Sequence, residues 1–161
     1  MTPPRPLLWL CALTALLASA LSEPARANPT VELDRLTFPT MPEASYYKTH
    51  LRRSLQREAR LADWGAGEDS TIQYRFRVDS LNIERGRGLV RVTCAATGEL
   101  PRGRTAASRL SFSGHPSHER RLVRDVLSIV ARGVVTRLAQ IEHARRKASA
   151  RALTPQTTMP R

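Results

Sequence analysis

The chain has 161 residues and carries 26 lysines and arginines against 14 aspartates and glutamates, a formal net charge of +12 at pH 7. This length has room for one domain, and the charge favours anionic partners such as phosphorylated lipids, acidic envelope groups or nucleic acid. A genomic origin of the charge stays open. Only Lys48 and Lys147 are lysines, and an arginine excess is what a GC-rich coding sequence produces.

Residues 1–27 have the pattern of a secretory signal peptide. Arg5 precedes a long uncharged run, and an Ala-Arg-Ala sequence then places small residues where signal peptidase reads them. We expect cleavage after Ala27, with sites after Ala20 or Ser22 as alternatives. The apolar run is shorter than the ~20 residues that a membrane anchor requires. The sequence therefore predicts export to the periplasm or secretion.

The two cysteines bear on lipid anchoring and on disulfide bonding. Cys11 does not mark a lipid-modified terminus, because the bulky Trp9 and Leu10 precede it where a lipobox needs small residues. Removal of the signal peptide leaves Cys94 alone, so the mature domain is predicted to have no internal disulfide. A lone cysteine on a strand is usually a small buried apolar residue, and we expect this of Cys94.

A single domain over residues 28–147 is predicted, with its elements in the order β-α-β-β-β-α. The first strand lies within 28–39, and its apolar alternation continues after a shift. Thr40 and Glu43 fit a capping box at the start of the first helix, which we expect to end at Trp64-Gly65. Helical spacing predicts an apolar stripe made of Ala44, Tyr47, Leu51, Leu55, Ala59 and Ala62.

Strict alternation of apolar and polar residues then predicts a meander of three strands. In the first of these strands the alternation of apolar and polar residues changes phase near Asp79 and Ser80, which predicts a bulge. A glycine-bearing turn leads into the second strand. The predicted segments are a strand beginning at 72, a turn at 85–88, a strand at 89–96, a connection at 97–103 and a strand at 105–113.

The longest amphipathic pattern runs from Ser117 to Lys147. Ser117 is placed to cap its first turn, and Glu119 lies at the positive end of the helix dipole. Gly133 costs about 1 kcal/mol relative to alanine inside a helix, and it reflects either close approach to the sheet or drift. Both helices and one side of the sheet bury each other in a two-layer α+β sandwich. Residues 148–161 are predicted to be a disordered basic tail.

Four arginines are predicted to share the outer face of the meander, where they form a candidate anion-binding surface. Guanidinium groups pair bidentately with phosphate and carboxylate. The plainer interpretation is that arginine is tolerated on a solvated face. The aromatics Tyr74, Phe76 and Phe112 fall on the buried side, so the face lacks a stacking platform; together with export, this argues against nucleic acid. The four arginines are Arg75, Arg77, Arg91 and Arg109.

Sequence motifs for catalysis, a cofactor or a metal are missing. The nucleophile elbow, the phosphate-binding loop and the His-Glu-x-x-His zinc motif do not occur. His115 and His118 fall short of the three or four converging ligands of a metal site. Glu68 and Asp69 are adjacent carboxylates without a recognisable partner. We therefore expect no cofactor, metal or catalysis; the alternative is a small secreted enzyme with an unrecognised carboxylate or histidine site.

The predicted order of elements behind a signal peptide resembles small Gram-negative envelope proteins, namely the lipopolysaccharide-assembly lipoprotein family and the amino-terminal domain of the Tol-system translocation protein. That resemblance implies a non-catalytic adaptor in envelope biogenesis. The expected function is an exported binding or assembly module that meets an anionic lipid or glycolipid, or an envelope protein, through the arginine-bearing face or an open strand edge. The matching features are Phe38-Pro39, the helix through Leu55, the strand Ile72 to Val78, the turn Thr97-Gly98-Glu99 and the helix Leu122 to Ile141.

Overall fold

The structure is a computed structural model that describes residues 29–66 and 70–152. These residues form two layers, with both helices packed on one face of a four-stranded sheet. The predicted α+β class and element order are confirmed. The predicted signal peptide lies outside the described residues. The elements are β1 Thr30–Thr37, α1 Ala44–Leu61, β2 Thr71–Arg85, β3 Val90–Leu100, β4 Arg104–Gly114, a 3₁₀ turn Pro116–His118 and α2 Glu119–Ala152.

The strands lie in the order β1-β2-β3-β4, so β1 and β4 are the edges of the described sheet. β1 runs parallel to β2 with α1 as the crossover, and the remaining pairs are antiparallel. The register of β2 against β3 shifts between Val78 and Ser80, which confirms the predicted bulge. A second shift lies between Leu33 and Arg35 of β1, where the sequence pattern also shifts. Each bulge changes which residues face outward.

The core lies between the sheet and the two helices. The strand alternation places Tyr74 and Phe76 on the inner face, where each is 1% exposed, and the α1 stripe buries Leu51 and Leu55 fully. Cys94 is fully buried in the same layer, as predicted, and burial raises the pKa of its thiol to about 12. The thiol therefore stays protonated and acts as an apolar core group.

β3 is longer than predicted because a glycine within it makes room for α2. The predicted connection at 97–103 is wrong: β3 continues to Leu100, and only residues 101–103 form the turn. A Cβ at Gly98 would lie 2.5 Å from Val134 and 2.7 Å from Leu138, so α2 crosses the strand where a side chain is missing. A Cβ at Gly133 would lie 3.2 Å from Ser108, which supports the close-approach interpretation of that helical glycine.

The predicted capping box at the start of α1 is wrong. The helix begins at Ala44, and its N-cap is Glu43, in the left-handed conformation with φ 59° and no side-chain cap bond. The Glu43 carboxylate instead accepts a hydrogen bond from Arg120, 77 residues away. At its other end α1 stops at Leu61, before the predicted Trp64, which is buried. At the start of α1 a long-range contact therefore takes the place of the local cap.

The start of α2 also differs from the prediction. Ser117 lies inside the 3₁₀ turn rather than at the cap, and the Nδ1 atom of His115 accepts the hydrogen bond from the Ser117 backbone N–H at 3.3 Å. Glu119 does occupy the first turn of α2, as predicted. The helix continues to Ala152, five residues past the predicted end of the domain, and residues 153–161 lie outside the described part. Over the two described ranges, none of the helices is both long and apolar enough to cross a membrane.

Candidate binding surfaces

The four predicted arginines lie exposed on the side of the sheet that faces away from the helices, which we call the outer sheet face. Arg75 lies opposite Glu99 in the register of β2 and β3, whereas Arg91 lies eight residues from Glu99 along β3. At about 3.3 Å per residue, this separation is roughly 26 Å. The arginines at the two ends therefore cannot bind one small ligand together. The four are Arg75, Arg77, Arg91 and Arg109.

Acidic neighbours neutralise much of the outer sheet face. Arg75 donates from Nε to Asp34 at 2.9 Å, and Arg77 donates from Nε to Asp79 at 2.7 Å. The hydrogen bond that Arg75 donates to Asp34 raises the pKa of the Arg75 guanidinium above its ordinary value. Together the four strands carry seven basic and five acidic side chains. The sheet therefore contributes little to the positive charge of the protein.

A further arginine from β1 joins the outer sheet face at one end. Arg35 lies opposite Arg75 in the parallel pair, and together with Arg77 they line a shallow cavity of about 270 Å³. Glu99, Phe76 and three threonines complete this cavity. Sequence reasoning missed Arg35 because nothing in the sequence places the first strand beside β2. The threonines come from three strands and are Thr37, Thr97 and Thr105.

Most of the positive charge lies on the helices, on the opposite side of the molecule. α1 and α2 together carry fourteen lysines and arginines against four aspartates and glutamates. On α1 five basic side chains are exposed, and Arg57 alone binds a carboxylate within the described residues, that of Glu58 at 2.9 Å. We call these five residues the basic α1 face. They are Lys48, Arg52, Arg53, Arg57 and Arg60.

The basic residues of α2 differ, because buried acids neutralise several of them. Glu142 is 4% exposed and accepts hydrogen bonds from Arg104, Arg145 and Arg146, the shortest of each at 2.9, 2.7 and 3.0 Å. Burial alone raises the pKa of this carboxyl, but the three guanidinium groups more than offset that effect and hold the pKa at about 2. These arginines stabilise the fold, whereas four of the five side chains of the basic α1 face have no carboxylate partner within the described residues.

A groove of about 460 Å³ lies between α1 and the edge strand β1. Its α1 wall includes two arginines of the basic α1 face. Val31 and Leu33 are half-buried against the core at the β1 wall, so the groove has an apolar floor and a basic side. The walls are formed by Val31, Glu32 and Leu33 of β1 and by Arg52, Gln56 and Arg60 of α1.

The other candidate groups of the sequence are two histidines and two carboxylates. His115 and His118 lie at the 3₁₀ turn, where their rings are 6.3 Å apart, while Glu68 and Asp69 lie outside the described residues. Within the described ranges, no three His, Cys, Asp or Glu side chains gather as metal ligands would. His50 bonds the hydroxyl of Ser128 at 3.0 Å between the helices, and burial lowers its pKa.

Comparison with known proteins gives likeness in fold alone. No family profile and no curated protein matches the sequence. A candidate lipoprotein from Caulobacter crescentus CB15 superposes with a TM-score of 0.44 and 9% identity over 74% of this chain and 91% of the other. A PelC variant, solved as a dodecamer from Paraburkholderia phytofirmans, gives a TM-score of 0.40 and 12% identity over 70% and 90%. The resemblance to lipopolysaccharide-assembly and Tol proteins stays a prediction.

Proposed function

We propose that this chain is an exported, non-catalytic binding module of the cell envelope that docks on an anionic component through its helical side. The observation that carries the proposal is the basic α1 face. Four of its side chains have no carboxylate partner within the described residues. Like charges four residues apart on a helix repel one another, and an anionic ligand would relieve that repulsion. The four are Lys48, Arg52, Arg53 and Arg60.

The chemistry of these side chains sets the ligand class. Guanidinium groups bind phosphate and carboxylate with two parallel hydrogen bonds, and they remain charged at every physiological pH. Phosphorylated lipid or glycolipid headgroups and acidic protein segments present such groups. The outer sheet face stays a predicted contact surface, but a ligand there would compete with Asp34 for Arg75 and with Asp79 for Arg77.

The proposal is tested by co-sedimentation of residues 28–161 with envelope membranes at 0.05 M and 0.5 M salt. Retention at low salt and release at high salt are expected, because the screening length of exposed charges falls from roughly 14 Å to roughly 4 Å over this range. A variant with glutamate at Lys48, Arg52, Arg53 and Arg60 should lose retention by at least about tenfold. Circular dichroism checks that the variant is folded.

The matched control carries the same change of charge on the other side of the protein, with glutamate at the four arginines that define the outer sheet face. Its retention should stay within about twofold of the unchanged protein. Loss confined to this control would assign docking to the outer sheet face and overturn the assignment to α1. Retention that persists at 0.5 M salt would contradict electrostatic docking altogether.

A further inference from the structure

The groove beside α1 combines a basic wall with an open strand edge. In the described sheet β1 pairs only with β2, so the other edge of β1 presents backbone N–H and C=O groups without strand partners. The α1 wall contributes Arg52 and Arg60, both exposed and both without a carboxylate partner in the part of the chain that the structure covers. Backbone pairing and positive charge are therefore available side by side.

We infer that this groove binds an extended acidic segment of a partner protein as an added strand on β1. The inference rests on the proposed docking function and names the partner. Main-chain hydrogen bonds to a strand edge supply affinity in this mode of recognition, and side chains at alternate positions supply specificity. Here the side chains on one face of the added strand meet α1, whose guanidinium groups select carboxylates.

The spacing of the groove residues sets the spacing of the carboxylates. Arg52 and Arg60 are eight residues apart on α1, which corresponds to about 12 Å at a rise of 1.5 Å per residue. Four residues of a strand cover about 13 Å. Carboxylates at positions i and i+4 of the added strand therefore lie on one face and match the two arginines. Position i+2 lies beside the amide of Gln56, which suits a small polar residue.

The bulge in β1 limits how much of the edge takes part. The register shifts between Leu33 and Arg35, so regular pairing is confined to the first half of the strand, beside the groove. Bulges of this kind block indiscriminate pairing at sheet edges. Glu32 also lines the groove, but it is exposed and lies in register with Gln73 on the outer side of the sheet, so it meets the face of the added strand that points away from α1, where a second carboxylate would be repelled. The segment bound is therefore short.

Charge excludes two other occupants of the groove. A second copy that paired through β1 within one continuous sheet would bring two basic α1 faces together on the same side, and their like charges would repel. The carboxy-terminal residues 153–161 contain no aspartate or glutamate. An acidic segment of another protein fits the groove better than either of these.

The test uses fluorescence anisotropy with two labelled ten-residue peptides of valine, threonine and two glutamates, at 0.05 M salt. One peptide has its glutamates at i and i+4; the control has the same composition with glutamates at i and i+3, on opposite faces. The first should bind about two- to fivefold more tightly, because it gains one exposed ion pair, worth up to about 1 kcal/mol. Glutamate at Arg52 and Arg60 should weaken binding about tenfold, and glutamate at Arg91 and Arg109 less than about twofold.

Backbone pairing is tested with a third peptide that keeps both glutamates but is N-methylated at alternate residues facing β1. Its binding should fall at least tenfold, because strand addition requires those N–H groups. Equal binding of all three peptides would overturn the inference. Dimerisation that grows with R52E/R60E would instead assign the groove to a second copy. If the unchanged protein is retained on envelope membranes at 0.05 M salt but binds the three peptides equally, only this inference fails. If the unchanged protein is not retained there, the proposed function and this inference both fail.

Discussion

Arginines are exposed on both layers of this molecule, but their surroundings differ. On the outer sheet face Arg75 lies 2.9 Å from Asp34, and Arg77 lies 2.7 Å from Asp79. On the basic α1 face four of the five basic side chains have no carboxylate partner among the residues that the structure covers, whereas on the outer sheet face two of the four, Arg91 and Arg109, have none. The difference teaches that a count of arginines on a face does not locate a binding surface. The uncompensated charge does, because it is the part that a ligand can neutralise.

The largest difference in stability is expected between variants that remove a carboxylate partner of arginine from the helical layer and from the outer sheet face. Glu142 is buried among Arg104 of β4 and two arginines of α2, and E142Q should lower the free energy of unfolding by about 3 kcal/mol because the guanidinium groups lose their shared anion. D34N removes an exposed partner from the outer sheet face and should cost less than about 1 kcal/mol. Urea unfolding measures both. Equal losses of unfolding free energy in E142Q and D34N would contradict the account that a buried carboxylate stabilises its arginines more than an exposed one does.

The contribution of Glu142 to the free energy of unfolding depends on pH. The pKa of Glu142 is about 2 in the folded protein, below its ordinary value of 4.5. Its contribution is therefore complete above pH 4.5 and is lost as the pH falls towards 2, since the unfolded chain takes up the proton first. The unfolding free energy of the unchanged protein should fall more steeply over that window than that of E142Q. Parallel profiles of unfolding free energy against pH for the two proteins would show that the arginines do not lower the pKa of Glu142.

A smaller effect should differ in sign between the layers. R53E places glutamate four residues before Arg57 on α1, which converts a repulsive pair into an attractive one and should add about 0.5 kcal/mol. R91E places glutamate opposite Glu84 on the outer sheet face and should remove about 0.5 kcal/mol. Thermal unfolding at low salt compares the two variants. Shifts of the same sign would mean that net charge, rather than local pairing, governs both surfaces.

Local patterns were enough to predict the elements and the inward faces of the strands. Alternation placed Tyr74 and Phe76 in the core, and the parity change at Asp79 predicted the bulge, but the prediction that Phe112 is buried with them is wrong, since this residue of the edge strand β4 is 44% exposed. The capping box failed because Glu43 binds Arg120 from a distant helix. The same limit applies to the strand order and hence to the groove: whether the first strand lies at an edge depends on pairing between distant segments, which no local pattern contains.

The central claim is that anions meet α1 rather than the outer sheet face. The most direct measurement is the NMR of arginine Nε–Hε groups in residues 28–161 titrated with poly-glutamate at low salt. The signals of Arg52, Arg53 and Arg60 should shift first and saturate together, while that of Arg75 stays in place because Asp34 already accepts its Nε–H. Early shifts confined to the outer sheet face, with the α1 signals unchanged, would contradict the claim.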